Sequence, residues 1–318
     1  MGAGLDLTLL PAAVSPLVAG EVAGAARRCR VLAAFPTCLY VGLGTHERVL
    51  AVLASDAVAL PIGLRLALPS TEIRWGVEPG DLVVVGEGRV RLPRADVVAA
   101  RLSRPSPVRP LPRGAGVAAL PEPGLLGDLA HDLTTAALAV RPVDPGVRGL
   151  IGVGRGLTPS GDDALCGVLL TLSAVDRPEA RAALSSVRTA VRQVLPWTTS
   201  LSAALLVAAG TGYAVPDVAR LVTLVVGAGS TDRHDGPETG SRAGSAGSVR
   251  STDPSDGAIL SLVDRVLAIG HSSGRDLLSG VSGALRAVDA LPSVSATTPR
   301  PTPRPTPRPT PHEGAHRG

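Results

Sequence analysis

The residues best placed to do chemistry lie in a ten-residue run, Gly154-Arg155-Gly156-Leu157-Thr158-Pro159-Ser160-Gly161-Asp162-Asp163, followed by an apolar stretch. Glycines at 152, 154 and 156 allow positive φ and close backbone approach. Thr158, Pro159 and Ser160 read as a turn, and Ser160 or Asp162 is expected to cap the helix that follows. The first-turn amides of a helix lack internal partners and carry the positive end of its dipole. With the Thr158 and Ser160 hydroxyls, they could hold a small anion such as phosphate, carboxylate or carbamoyl. Asp162 and Asp163 oppose an anion unless a cation intervenes. They could ligate Mg²⁺ through oxygen, orient an amine or hydroxyl, or simply favour the helix start. The run has no Gly-Lys-Ser/Thr and no strand-helix-strand surroundings, so it is neither a Walker loop nor a dinucleotide fingerprint.

A second run repeats the plan. Ile269-Gly270-His271-Ser272-Ser273-Gly274-Arg275-Asp276 leads into an apolar helical pattern. His271 could act as acid or base, with Asp163 as its catalytic counterpart. Gly156, Thr158, Ser160, Gly161, Asp162, Ser272, Ser273, Gly274 and Asp276 are the candidate substrate contacts. Between the runs lies Trp197-Thr198-Thr199-Ser200, where Thr199 and Ser200 could cap a helix or contact an anion. No Gly-x-Ser-x-Gly elbow supports a Ser-His-Asp triad. Cys166 is expected in the core, and His46 in a hairpin loop.

These residues need a scaffold. Apolar residues are 45% of the 318 and aromatics only 2%, so the core must be aliphatic. The chain has no Lys, no Asn and one Gln, Gln193, which reads as coding bias, so its arginines do not argue for nucleic acid. The net charge of +4 owes much to the C-terminal arginines, and no basic face with stacking aromatics is visible, so no nucleic-acid partner is expected. Three cysteines without metal or disulfide spacing fit a reducing setting. Residues 1–20 contain Asp6 and lack a basic lead, and no stretch reads as a membrane span, so the expected compartment is the cytoplasm.

The expected fold class is α+β: an N-terminal β-rich barrel or sandwich, then an α-helical domain. Residues 1–30 form a lead-in with helical spacing over 15–30. Short apolar runs over 31–102 predict the β-rich domain, with a hairpin at Gly86-Glu87-Gly88. Residues 103–124, rich in Pro and Gly, read as a linker. Residues 125–292 predict helices near 125–140, 162–175, 178–195, 198–209, 214–227, 256–270 and 274–290, with Pro178 opening one and Asp256 capping another. Residues 228–255 read as a disordered insertion, and the PTPR repeat within 293–318 as an extended spacer.

GLTPSGDD at 156–163, TTS at 198–200 and GHSSGRDLLSG at 270–280 together resemble the AllH-like family, which includes the AllH subunit of oxamate carbamoyltransferase. The likeness covers about 150–290 and extends weakly over the β-rich half. The insertion and the PTPR tail depart from it. The resemblance implies carbamoyl exchange between oxalurate and phosphate, giving oxamate and carbamoyl phosphate, in purine nitrogen catabolism alongside two partner subunits. Two other readings stand beside it: a non-catalytic assembly or metabolite-sensing subunit, and a Mg²⁺-dependent hydrolase. No cofactor is required by the residues.

Overall fold

The computed structural model describes residues 8–113, 120–227 and 254–291. Its N-terminal part is a closed barrel of eight strands among the described residues: β1 (Thr8–Val14), β2 (Arg27–Phe35), β3 (Cys38–Gly42), β4 (Val49–Leu53), β5 (Gly63–Leu66), β6 (Leu82–Gly86), β7 (Arg89–Arg91) and β8 (Ala95–Leu102). The order around the barrel is β1-β5-β4-β3-β2-β6-β7-β8. β1 closes it, antiparallel to β5 and parallel to β8 from Thr8 opposite Ala95 to Val14 opposite Leu102.

Closure corrects the fold-class expectation. The β region is a barrel rather than a sandwich, and it starts at Thr8, not near residue 31. Helix α1 (Pro16–Ala23), capped by Ser15, lies between two barrel strands instead of leading into them. The helical spacing expected over 15–30 breaks at Gly24. From Arg27 the chain alternates, with Cys29 and Val31 buried and Arg28 and Arg30 exposed, which is strand periodicity. The hairpin pairs as expected, Val85 opposite Val90 across Glu87 and Gly88, both at positive φ.

The C-terminal part holds α2 (Gly124–Leu138), α3 (Asp144–Leu150), α4 (Ser160–Ala174), α5 (Pro178–Val194), α6 (Ser200–Ala209), α7 (Pro216–Gly227), α8 (Pro254–Leu267) and α9 (Ser273–Asp289). α5 opens on Pro178 as the sequence indicates, whereas α8 begins at Pro254, which puts Asp256 inside it rather than at its cap. Strands are not confined to the barrel. β9 (Ser106–Pro107) pairs with β10 (Tyr213–Ala214), and Leu111 bridges to Val175. The segment read as a linker is thereby tied to the helices, with Val108 buried and Arg113 paired to Asp289. Most of the 228–255 insertion and all of the PTPR tail lie outside the described residues.

Two elements position the site. α4 is the central helix, with thirteen of its fifteen residues buried. α6 is apolar on nearly every side, as a helix packed on more than one face must be. Its Leu201, Ala204 and Ala208 pack into the barrel core, while Ala203, Leu206 and Ala209 pack into the helical core.

Candidate functional site

The two glycine-bounded turns meet. Thr158 Oγ1 and Ser273 Oγ, 115 positions apart in the chain, share a 3.0 Å hydrogen bond. Glycines make this possible by close backbone approach. A Cβ at Gly280 of α9 would sit 2.0 Å from the Ala164 carbonyl of α4, and one at Gly167 of α4 would sit 2.3 Å from the Leu277 carbonyl of α9. Within the turns, Gly161 lies against the Leu150 carbonyl and Gly274 against the Val266 carbonyl, where a Cβ would come within 1.9 and 1.8 Å. Gly156, at φ 90°, is the one turn glycine here with open space around it, so its role is conformational.

The start of α4 is not capped by Ser160 or Asp162. Pro159 occupies the N-cap, Ser160 is the first helical residue, and no side chain caps the turn. The amides find backbone partners instead: Gly161 N–H donates to Val153 O at 2.8 Å, and those of Asp162 and Asp163 to Pro159 O at 3.0 and 3.2 Å. Little of the helix-start donor set is left for an anion.

Asp162 and Asp163 point to different surroundings, because successive helical residues are about 100° apart. Asp162 is 1% exposed; its Oδ1 accepts from Gly152 N–H at 2.8 Å and its Oδ2 from the Thr198 hydroxyl. Burial pushes its carboxyl above the usual range, opposed by the bonds from Gly152, Thr198 and Ser202. It ties together the turn before α4 and the turn before α6. Asp163 is 8% exposed, and its Oδ2 is buried with no hydrogen-bond partner. Burial pushes its carboxyl up to about 8; a bond from Ser273 opposes this, and Asp276 and Asp162 add to the rise. At neutral pH it therefore carries a proton, a carboxylic acid able to donate.

Asp163 opens onto a cavity of about 190 Å³ between barrel and helices. Its polar lining is Tyr40, Thr158, Asp163, Tyr213 and Ser273, with the Cys166 thiol beside them. Both tyrosines of the chain are therefore here. Burial raises the Tyr40 phenol and lifts the Cys166 thiol well above its ordinary range, so both stay neutral. The remaining wall is mostly aliphatic, including Leu60, Leu170, Leu201, Val218, Ile269 and Leu277. Among the described residues, no Arg or His lines it.

Other candidates lie elsewhere. His271 and Ser272 are exposed on the turn and do not line the cavity, and Ser160 is half-buried outside it. Gly274 lines the wall. Asp276, half-buried in the first turn of α9, has an unpartnered Oδ2 and acts on Asp163 through its charge. Thr199 caps α6, accepting from Ser202 N–H at 3.1 Å while its hydroxyl donates to Leu157 O. Ser200 Oγ lies 3.2 Å from His46 Nδ1, and His46 Nε2 lies 2.9 Å from Thr198 O. His46 thus joins a barrel loop to the start of α6, and this role was missed from sequence, as were both cavity tyrosines. In a chain with 2% aromatics, the two tyrosines were themselves a signal. Cys166, expected only in the core, is buried and also faces the cavity. No group of three or more His, Cys, Asp or Glu among the described residues is arranged to hold a metal ion.

Part of the chain that carries this geometry is recognisable. Residues 150–249 match the family model of oxamate carbamoyltransferase subunit AllH. The AllH match includes the α4 turn, both aspartates, Cys166 and the Trp197–Ser200 stretch, and ends before the α9 turn. The resemblance read from GLTPSGDD and TTS agrees with it. No curated protein and no solved structure matches the chain. No helix among the described residues is long and apolar enough to cross a membrane.

Proposed function

We propose that this chain is a subunit of a carbamoyl-transfer assembly of the oxamate carbamoyltransferase type, and that its cavity holds a small ligand through proton-bearing Asp163. The AllH match over residues 150–249 supports the first part. The second is carried by one observation: a buried carboxyl with an unpartnered oxygen, on a residue that lines a cavity where the two turns meet. A buried polar atom without a partner costs roughly 1–3 kcal/mol, and a ligand that accepts a hydrogen bond there removes that cost.

In this reading each residue has a limited task. Asp163 donates its proton to a ligand carbonyl oxygen and polarises it. Ser273 and Thr158 fix the carboxyl through their hydroxyl pair. Asp276 and the aliphatic wall keep the proton in place near neutral pH. Cys166 and Tyr40, both held neutral, are donors rather than nucleophiles.

A second reading has its own support. Among the described residues no Arg or His lines the cavity, and none of those present neutralises a phosphate or a developing oxyanion. The cavity would then sense a metabolite, with bond-making housed in a partner subunit. Reconstitution separates the two. The chain is combined with the two partner subunits, and carbamoyl phosphate formation from oxalurate and phosphate is followed. Turnover that needs the chain and falls at least tenfold, about 1.4 kcal/mol, in Asp163→Asn supports catalysis. Turnover that needs the chain but ignores Asp163→Asn supports sensing. Turnover without the chain overturns the subunit proposal.

A further inference from the structure

The cavity's own chemistry narrows its ligand further than carbamoyl transfer does. We infer that it takes a small, uncharged aliphatic amide rather than an oxamate-like anion. The inference rests on the sensing reading of the cavity, with Asp163 as partner of the ligand's polar head, since a cavity that refuses oxamate-like anions is not where oxalurate reacts.

Size comes first. At about 190 Å³ the space is below the roughly 300–1,000 Å³ of drug-sized pockets. It is close to the roughly 150 Å³ apolar cavity that holds benzene. Charge comes next. Among the described residues, a carboxylate or phosphate placed here would meet no cation in the lining and would face Asp163 and, beyond it, Asp162 and Asp276. Burying an unpaired charge is strongly unfavourable. Oxamate brings a carboxylate.

The head and body then follow. A protonated carboxyl offers one donor and retains acceptor capacity. A primary amide complements it: its carbonyl accepts from the Asp163 carboxyl on the cavity wall, and its N–H returns a hydrogen bond to the same group. Tyr40 and Tyr213 also line the wall. Leu60, Leu170, Leu201, Val218, Ile269 and Leu277 leave the rest of the wall suited to a branched hydrocarbon body. A molecule polar at both ends would leave one end unsatisfied against them.

The ionisable groups around Asp163 are Asp162 and Cys166 on its own helix, Asp276 on α9, and Tyr40 and Tyr213 on the cavity wall. Burial holds the Tyr40 phenol and the Cys166 thiol neutral, and Asp163 is the group that sets the pH response.

Calorimetric titration of the full chain with isovaleramide, isovalerate and oxamate tests this. At pH 7, isovaleramide is expected to bind at least tenfold more tightly than either anion, and its affinity should fall above pH 8. Asp163→Leu should lose at least tenfold. Asp163→Asn, which keeps a donor and an acceptor, should retain binding at pH 7 but without the pH dependence; it stands as the folded control if the leucine variant fails to fold. Oxamate or isovalerate binding as tightly as isovaleramide, with all lost in Asp163→Leu, overturns the amide assignment and leaves Asp163 as the head partner. Isovaleramide binding that persists in folded Asp163→Leu overturns the role of Asp163 itself. No isovaleramide binding at millimolar concentration overturns the inference.

Discussion

The two sides of the first turn of α4 are built from neighbouring aspartates and do opposite things. On one side Asp162 is enclosed and satisfied, accepting from the Gly152 amide and the Thr198 hydroxyl. On the other, Asp163 is also buried but lines a cavity and keeps one oxygen unpartnered. The pair teaches that burial alone does not mark a working carboxyl. An acid whose lone pairs are filled by its own chain is a structural tie; one left open beside a cavity is available to a ligand.

That contrast can be broken at several strengths. The largest effect is expected from Gly280→Ala, which drives a Cβ to 2.0 Å from the Ala164 carbonyl and separates the helices that carry the two turns. About 3 kcal/mol of stability should be lost in urea denaturation, with ligand binding lost in parallel. Next, Asp162→Ala leaves the Gly152 amide and Thr198 hydroxyl without their acceptor. A loss of about 2 kcal/mol is expected; a silent variant would show that Asp162 is not the tie described.

Asp163→Asn sharpens the contrast through its sign. The folded-state pKa of about 8 lies above that of the unfolded carboxyl. Between about pH 4 and 8 the native state therefore holds more protons than the unfolded one. The contribution of Asp163 to stability is fully present below about pH 4 and is lost as pH rises to 8. Relative to the wild type, the asparagine variant should gain stability over that window, by about 1 kcal/mol or more at pH 7, with the gap shrinking towards pH 4. Paired thermal melts across pH read this directly. Smallest of all, His271→Ala should change stability by less than about 0.5 kcal/mol and leave isovaleramide affinity unaltered, since the imidazole is exposed and away from the cavity lining.

The difference between the aspartates was not legible in the sequence, although the turn was. Gly154 to Asp163 and Gly270 to Asp276 stood out because glycine, hydroxyl and acid residues cluster before apolar helical patterns. Which acid faces inward depends on helix phase against elements distant in the chain, and local pattern does not carry that. The same limit hid β1, whose partners on β8 lie far along the chain. It also hid Tyr213, whose two-residue strand exists only because β9 lies beside it. The α4 and α5 helices were legible because apolar spacing and Pro178 are local signals. The close backbone approach expected of the turn glycines is to the protein itself at Gly152, Gly161 and Gly274, which lie against neighbouring carbonyls.

The most direct measurement is a carbon-13 NMR titration of the Asp163 carboxyl from pH 3 to pH 10, assigned through Asp163→Asn. The account predicts a midpoint near 8 that moves higher when isovaleramide is added. A midpoint near 4, unmoved by the amide, would contradict it.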